Sequence, residues 1–125
     1  MKKVYTTDKA PAALGPYSQA ASAGNLVFIS GQLPIDPATG KFVEGDIATR
    51  THMVLKNLQA VAEEAGGSLD NIVKTTIFLT DLDDFQTMNA AYAEYFTDSP
   101  PARSTVQVAA LPLGSNIEIE AILAL

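Results

Sequence analysis

The segment "SNIEIEAILAL" (residues 115–125) alternates apolar and acidic side chains, which predicts a β-strand with two different faces. Ile117, Ile119 and Ala121 fall on one face of this strand. Glu118 and Glu120 fall on the opposite face. The segment therefore predicts the last strand of a sheet that is apolar on one side and acidic on the other.

The preceding segment "SPPARSTVQV" (residues 99–108) predicts a second strand and contains an isolated cation. Between Thr75 and Leu125 the chain has seven carboxylates, but Arg103 is its only Lys, Arg or His. If the two strands are neighbours, Arg103 lies close to Glu118 or Glu120. The guanidinium is then either one half of a structural ion pair or a fork for a ligand carboxylate, with a glutamate activating water. Spacing alone does not separate these two interpretations.

The rest of the chain predicts an α+β fold. Strands are expected at residues 25–33 and 71–81, and helices from Asp46 to Gly66 and over residues 82–96. On the first helix, residues three and four apart form an apolar stripe: Ile47, Thr51, Val54, Leu55, Leu58, Val61, Ala62 and Ala65. We expect one domain, residues 1–125, with a six-stranded mixed sheet covered on one face by two helices. Because the strands are apolar almost throughout, a second subunit should cover the other face.

Composition narrows the possible functions. A net charge of −6 opposes broad binding to nucleic acid or to anionic membranes. The absence of cysteine excludes thiol nucleophiles and disulfides, and with a single histidine no metal site is expected. No signal-peptide pattern precedes the first strand, so a cytoplasmic location is expected.

Four segments together resemble one known family. They are "GPYSQA" (15–20), "SGQLPIDPATG" (30–40), "NIVKTTIFLTDLDDFQTMNAAYAEYF" (71–96) and "PARSTVQVAALPLGSNIEIEAI" (101–122). The chain is similar over essentially its whole length to the Rid family of reactive-intermediate deaminases (YjgF/UK114, "endoribonuclease L-PSP"), and most to its RidA archetype. The resemblance implies a chorismate-mutase-like fold and a homotrimer with active sites between subunits. It also implies cofactor-free hydrolysis of enamines and imines, such as 2-aminoacrylate, to 2-oxo acids and ammonia.

The resemblance also assigns roles to individual residues. Arg103 matches the arginine that grips the substrate carboxylate, and Glu120 matches the acid that positions or activates water. The remaining pocket positions are Tyr17, Ser30, the Gly31 amide, Asn89 and Thr105. Thr105 departs from the archetype, which commonly has cysteine there.

Two other functions stay open. Arg103 could capture small 2-oxo acids in a binding module that performs no turnover. An endoribonuclease or translation-inhibitor activity is the weakest alternative, because RNA cleavage usually needs cationic anchoring and an acid and base pair.

Overall fold

The C-terminal strand lies in the interior of the sheet in this computed structural model, which describes residues 1–125. The strands are β1 (Lys3–Tyr5), β2 (Ala20–Ala23), β3 (Leu26–Gln32), β4 (Ile35–Asp36), β5 (Lys41–Phe42), β6 (Ile72–Leu79), β7 (Ala102–Gln107) and β8 (Ile117–Ala124); the helices are α1 (Ile47–Glu64) and α2 (Phe85–Ala93). Six strands form one sheet in the order β1-β2-β3-β8-β6-β7, and β4 pairs only with β5. Only the β6–β7 pair is parallel. The predicted α+β class and six-stranded mixed sheet are confirmed.

One face of the sheet and the two helices enclose the core. Ile117, Ile119 and Leu123 of β8 are fully buried there, as the alternation in the sequence predicted. All eight residues of the predicted α1 stripe are buried too. Each such aliphatic side chain contributes about 1.5–3 kcal/mol by leaving water. The apolar face of β8 is therefore the surface on which the core is built.

The helix boundaries follow local capping chemistry. Asp46 caps α1, because its carboxylate accepts a hydrogen bond from the Thr49 amide at 2.9 Å. Gly66 then ends the helix with a φ of +95°. The second helix is shorter than predicted, because Asp81 caps a separate 3-10 turn at Leu82–Asp84. Neither helix is long and apolar enough to span a membrane.

The last two strands are not neighbours, so the arrangement predicted for Arg103 within one chain is wrong. Strand β6 lies between β7 and β8. Thr75 of β6 pairs with Arg103, whereas Thr76 pairs with Glu120. Arg103 therefore lies on the helix-covered face, and Glu120 lies on the opposite face. The physical reason is the connection through α2, which returns β7 parallel to β6 and leaves the other edge of β6 for β8.

The face of the sheet without helices is open in the single chain. Val4, Phe28 and Val106 lie on strands of this sheet and remain 52%, 45% and 42% exposed. The sequence predicted burial of the strands on both sides, and one chain supplies cover for only one side. An open sheet face with large apolar side chains is typical of a subunit contact.

Asn57 is a buried polar residue that the apolar pattern of α1 did not reveal. It is fully buried, and its Nδ2 donates to the Leu33 carbonyl at 3.1 Å and to the Ile35 carbonyl at 2.9 Å. These two bonds fasten the end of β3 and the start of β4 to α1. Asn57 thus sets the path of residues 33–35.

We predict that Asn57→Ala lowers the free energy of unfolding by about 1–3 kcal/mol, because two buried carbonyls lose their donor. Urea titration followed by circular dichroism measures the loss. The control is Gln59→Ala on the exposed side of the same helix, which should change stability by less than about 0.5 kcal/mol. Equal losses in the two variants would contradict the role given to Asn57.

Candidate functional site

A cavity of about 570 Å³ opens where β3 and β8 meet the loop that precedes β2. Four of the seven predicted site residues line it: Tyr17, Ser30, Gly31 and Glu120. Glu118 lines the same cavity. This part of the chain therefore collects hydroxyls, a backbone amide and two carboxylates in one place.

Backbone contacts hold the two hydroxyl-bearing side chains in position. The Tyr17 hydroxyl accepts a hydrogen bond from the Leu14 amide at 3.1 Å. The Ser30 hydroxyl donates to the Ser18 carbonyl at 2.6 Å. Both contacts tie the loop before β2 to the cavity wall. The loop can therefore present Tyr17 without support from a second side chain.

Gly31 and Glu118 approach each other so closely that position 31 has no room for a side chain. A Cβ atom built on Gly31 would lie 2.7 Å from Cδ of Glu118. The approach occurs at an irregularity in the pairing of β3 with β8, between Ile29 and Gln32. Glycine at position 31 thus lets the Glu118 carboxylate lie flat against the β3 backbone.

The two carboxylates of the cavity differ in their electrostatics. Burial raises the pKa of Glu118, and the nearby charge of Glu120 raises this pKa further. Glu120 is exposed, whereas Glu118 is partly buried. The alternation in the sequence leaves Glu118 and Glu120 equivalent, and only the family resemblance favours Glu120 as the acid. The distinguishing signal is the contact with Gly31, which sequence alone does not reveal.

Arg103 is held by neutral groups. Its Nη1 donates to Oδ1 of Asn89 on α2 at 2.7 Å, and the guanidinium carbon lies 5.0 Å from the ring centroid of Tyr92 and 5.5 Å from that of Phe85. No carboxylate of the chain lies within 4.0 Å of it, since the chain's single ion pair at that limit joins His52 and Glu94. The guanidinium keeps its full charge and most of its donors uncommitted.

Thr105 lies two residues along β7 from Arg103, on the same face. Its Oγ1 is buried and has no hydrogen-bond partner. This hydroxyl is therefore free to bond a ligand group or an ordered water. Arg103, Asn89 and Thr105 therefore form a second cluster, which we call the arginine cluster.

The sheet separates the arginine cluster from the cavity. Arg103 lies on the helix-covered face of the edge strand β7, and the glutamates lie on the open face of β8. The structure thus brings the predicted site residues together as two groups, and no single chain joins them. Of the two interpretations left open for Arg103, the ion pair with a glutamate of the same chain is not formed.

We predict that Glu118→Gln stabilises the protein at neutral pH. A carboxyl whose pKa is raised by folding destabilises the native state progressively as pH rises above the unfolded value of about 4.5, and the destabilisation levels off above the folded pKa. The Tm of the variant should therefore match wild type at pH 4, rise above it as pH increases from there, and stay above it at pH 7.

Differential scanning calorimetry across this pH range makes the measurement. Glu120→Gln is the matched control, and it should give a smaller gain because it removes only the repulsion between the two carboxylates. A constant difference between Glu118→Gln and wild type at every pH would contradict the raised pKa.

Comparison with known proteins supports one family. The family model described as "Endoribonuclease L-PSP" matches residues 7–125. A mouse protein named 2-iminobutanoate/2-iminopropanoate deaminase is 49% identical over 122 residues, which cover 98% of this chain and 90% of the mouse protein.

Two crystal structures extend the comparison to the fold. RidA from an Antarctic Psychrobacter superposes with a TM-score of 0.95 at 48% identity, covering 98% of this chain and 99% of that chain. E. coli TdcF with bound serine gives a TM-score of 0.94 at 42% identity, covering 98% of both chains. The match spans the cavity, the arginine cluster and the whole sheet. The chain belongs to the endoribonuclease L-PSP family, the Rid family that its sequence resembles.

Proposed function

We propose that the chain is a deaminase that hydrolyses small 2-imino acids and their enamines, such as 2-iminopropanoate and 2-iminobutanoate, to 2-oxo acids and ammonia. The observation that carries this proposal is Arg103, a partly buried cation with no carboxylate partner in its own chain. An imino acid supplies the missing anion, because its carboxylate fits the planar guanidinium fork. The name of the mouse relative supports the same substrate class.

The chemistry needs orientation and one proton carrier. Arg103 holds the substrate carboxylate, with Asn89 fixing the guanidinium from behind. The oxygen of a water adds to the imine carbon while a glutamate takes a proton from that water. The glutamate gives this proton to the nitrogen, which yields a carbinolamine. The glutamate then takes the hydroxyl proton and passes it to the nitrogen, and ammonia leaves as the carbon–oxygen double bond forms. The sum is imine plus water giving 2-oxo acid plus ammonia, with no oxidation.

We assign the proton carrier to Glu118 rather than to the sequence-predicted Glu120. A carboxyl with a raised pKa accepts and returns a proton near neutral pH more readily than an ordinary one. Glu118 also packs against Gly31, where a Cβ atom would lie 2.7 Å from its Cδ. In this proposal Glu120 stays on the cavity wall, where its charge helps to raise the pKa of Glu118. Tyr17 and Ser30 line the pocket beside them.

The complete site forms between subunits in this proposal. Arg103 is on the edge strand of the sheet, and the cavity opens beside the uncovered face. Placing the edge strand of one copy against the open face of the next joins an arginine cluster to a cavity and buries Val4, Phe28 and Val106. Such a head-to-tail contact repeats until a ring closes, and the family resemblance favours three copies. A cytoplasmic location remains a prediction.

We predict that Arg103→Ala lowers kcat/KM at least about 100-fold, because the substrate loses its orienting contact. A pyridoxal-phosphate dehydratase acting on serine generates the imine in situ, and pyruvate release is followed with and without the variant. Arg50→Ala is the matched control: Arg50 also donates to an asparagine, Asn116, at 3.0 Å and lies 5.1 Å from an aromatic ring, Phe42. It should retain wild-type rates.

Two results of this assay would overturn the proposal. Equal loss in both arginine variants would show that Arg103 acts through stability alone. No acceleration by wild type, together with saturable 2-oxo acid binding that Arg103→Ala abolishes, would favour a binding module instead.

A mixing experiment tests the shared site. Arg103→Ala and Glu118→Gln should each be inactive alone, whereas Glu120→Gln should stay active with its pH profile shifted to lower pH, because Glu118 loses the neighbouring charge. Unfolding Arg103→Ala and Glu118→Gln together and refolding them in equal amounts should restore about a quarter of wild-type activity, since one interface in four then combines an intact arginine with an intact glutamate. No recovery in assembled mixed oligomers would contradict a site built by two subunits.

A further inference from the structure

The cavity has an apolar part that the proposed hydrolysis does not use. Beside the carboxylates and hydroxyls, Leu14, Leu33, Ile35 and Leu113 line it. Leu33 and Ile35 are buried, but Leu14 and Leu113 are 65% and 63% exposed. Two large apolar side chains are thus displayed to the space in which the substrate is expected to bind.

Leu113 adopts a backbone conformation that leucine normally avoids. Its φ is +59°, and it is one of only two non-glycine residues with positive φ, the other being Ser99. Glycine occupies this conformation with less strain because it has no Cβ atom to crowd the following carbonyl, and asparagine offsets the strain with a local hydrogen bond. Because Leu113 is exposed, packing within its own chain offsets little of this strain energy. Strain of this kind at a pocket points to a role in ligand contact.

We infer that Leu113 and Leu14 form a subsite for the substrate side chain, so that the enzyme favours 2-imino acids with apolar side chains of several carbons. The inference rests on the proposed function and specifies its substrate class. An apolar subsite distinguishes between substrates by the number of substrate carbon atoms that it removes from water. An ethyl side chain covers little of these two leucines, whereas an isobutyl side chain covers much more.

The test compares two imines made in situ by an L-amino-acid oxidase, one from 2-aminobutanoate and one from leucine. Semicarbazide traps the imine that remains, so the decline in trapped product gives kcat/KM for each substrate. Leu113→Asn keeps the left-handed backbone at low strain and removes the apolar surface. It should lower the ratio of kcat/KM for the leucine imine to that for the smaller imine roughly tenfold. Leu14→Asn should lower the same ratio.

Leu82→Asn is the control, because Leu82 is 43% exposed and does not line the cavity. The ratio of kcat/KM for the leucine imine to that for the smaller imine should be the same in Leu82→Asn as in wild type. Hydrolysis of both imines with unchanged ratios in Leu113→Asn and Leu14→Asn would overturn the subsite while leaving the deaminase intact.

Two further outcomes are also decisive. Equal losses on both imines, with a smaller oligomer by light scattering, would make Leu113 an assembly contact and overturn the subsite. If wild type hydrolyses neither imine, the proposed function fails and the subsite fails with it.

Discussion

The two-residue alternation of β8 is the constraint on which both the core and the candidate site depend. This strand lies between β3 and β6, and each of its faces has one task. Ile117, Ile119 and Leu123 anchor the helices on one side. Glu118 and Glu120 enter the cavity on the other side. A shift of one residue in its register would bury both carboxylates in the core and expose the isoleucines, so stability and chemistry are specified together.

The candidate site also depends on which groups hold the Arg103 side chain in place. A carboxylate partner would neutralise its charge and occupy its donors, whereas the Asn89 amide positions the guanidinium and leaves the charge in place. The rings of Tyr92 and Phe85 add attraction without competing for hydrogen bonds. The same α2 surface also fixes Tyr92, whose hydroxyl lies 2.7 Å from that of Thr75. A guanidinium without a carboxylate partner is thereby held in place at the edge of the sheet.

Local patterns predicted the elements well, and the failures came from contacts distant in sequence. The stripe on α1, its cap at Asp46 and its end at Gly66 all depend on residues a few positions apart. The connection through α2 decides that β7 and β8 lie on opposite sides of β6. The alternation of side chains within either strand carries no information about that connection. In the same way, Glu118 and Glu120 are equivalent by pattern. Only the approach of Glu118 to Gly31, 87 positions away in the chain, distinguishes them.

The interior position of β8 also bears on how the chain is made. Leu26 pairs with Ala124, and Ile72 pairs with Leu123. One edge of β3 and one edge of β6 therefore stay unpaired until the residues of β8 have been synthesised. During translation the nascent chain therefore carries two apolar strands with unpaired edges and an unfinished core. Pairing over such distances is slow to nucleate, and open edges invite aggregation. Expression yield should consequently depend on how quickly the final strand leaves the ribosome and on whether a chaperone shields the edges until then.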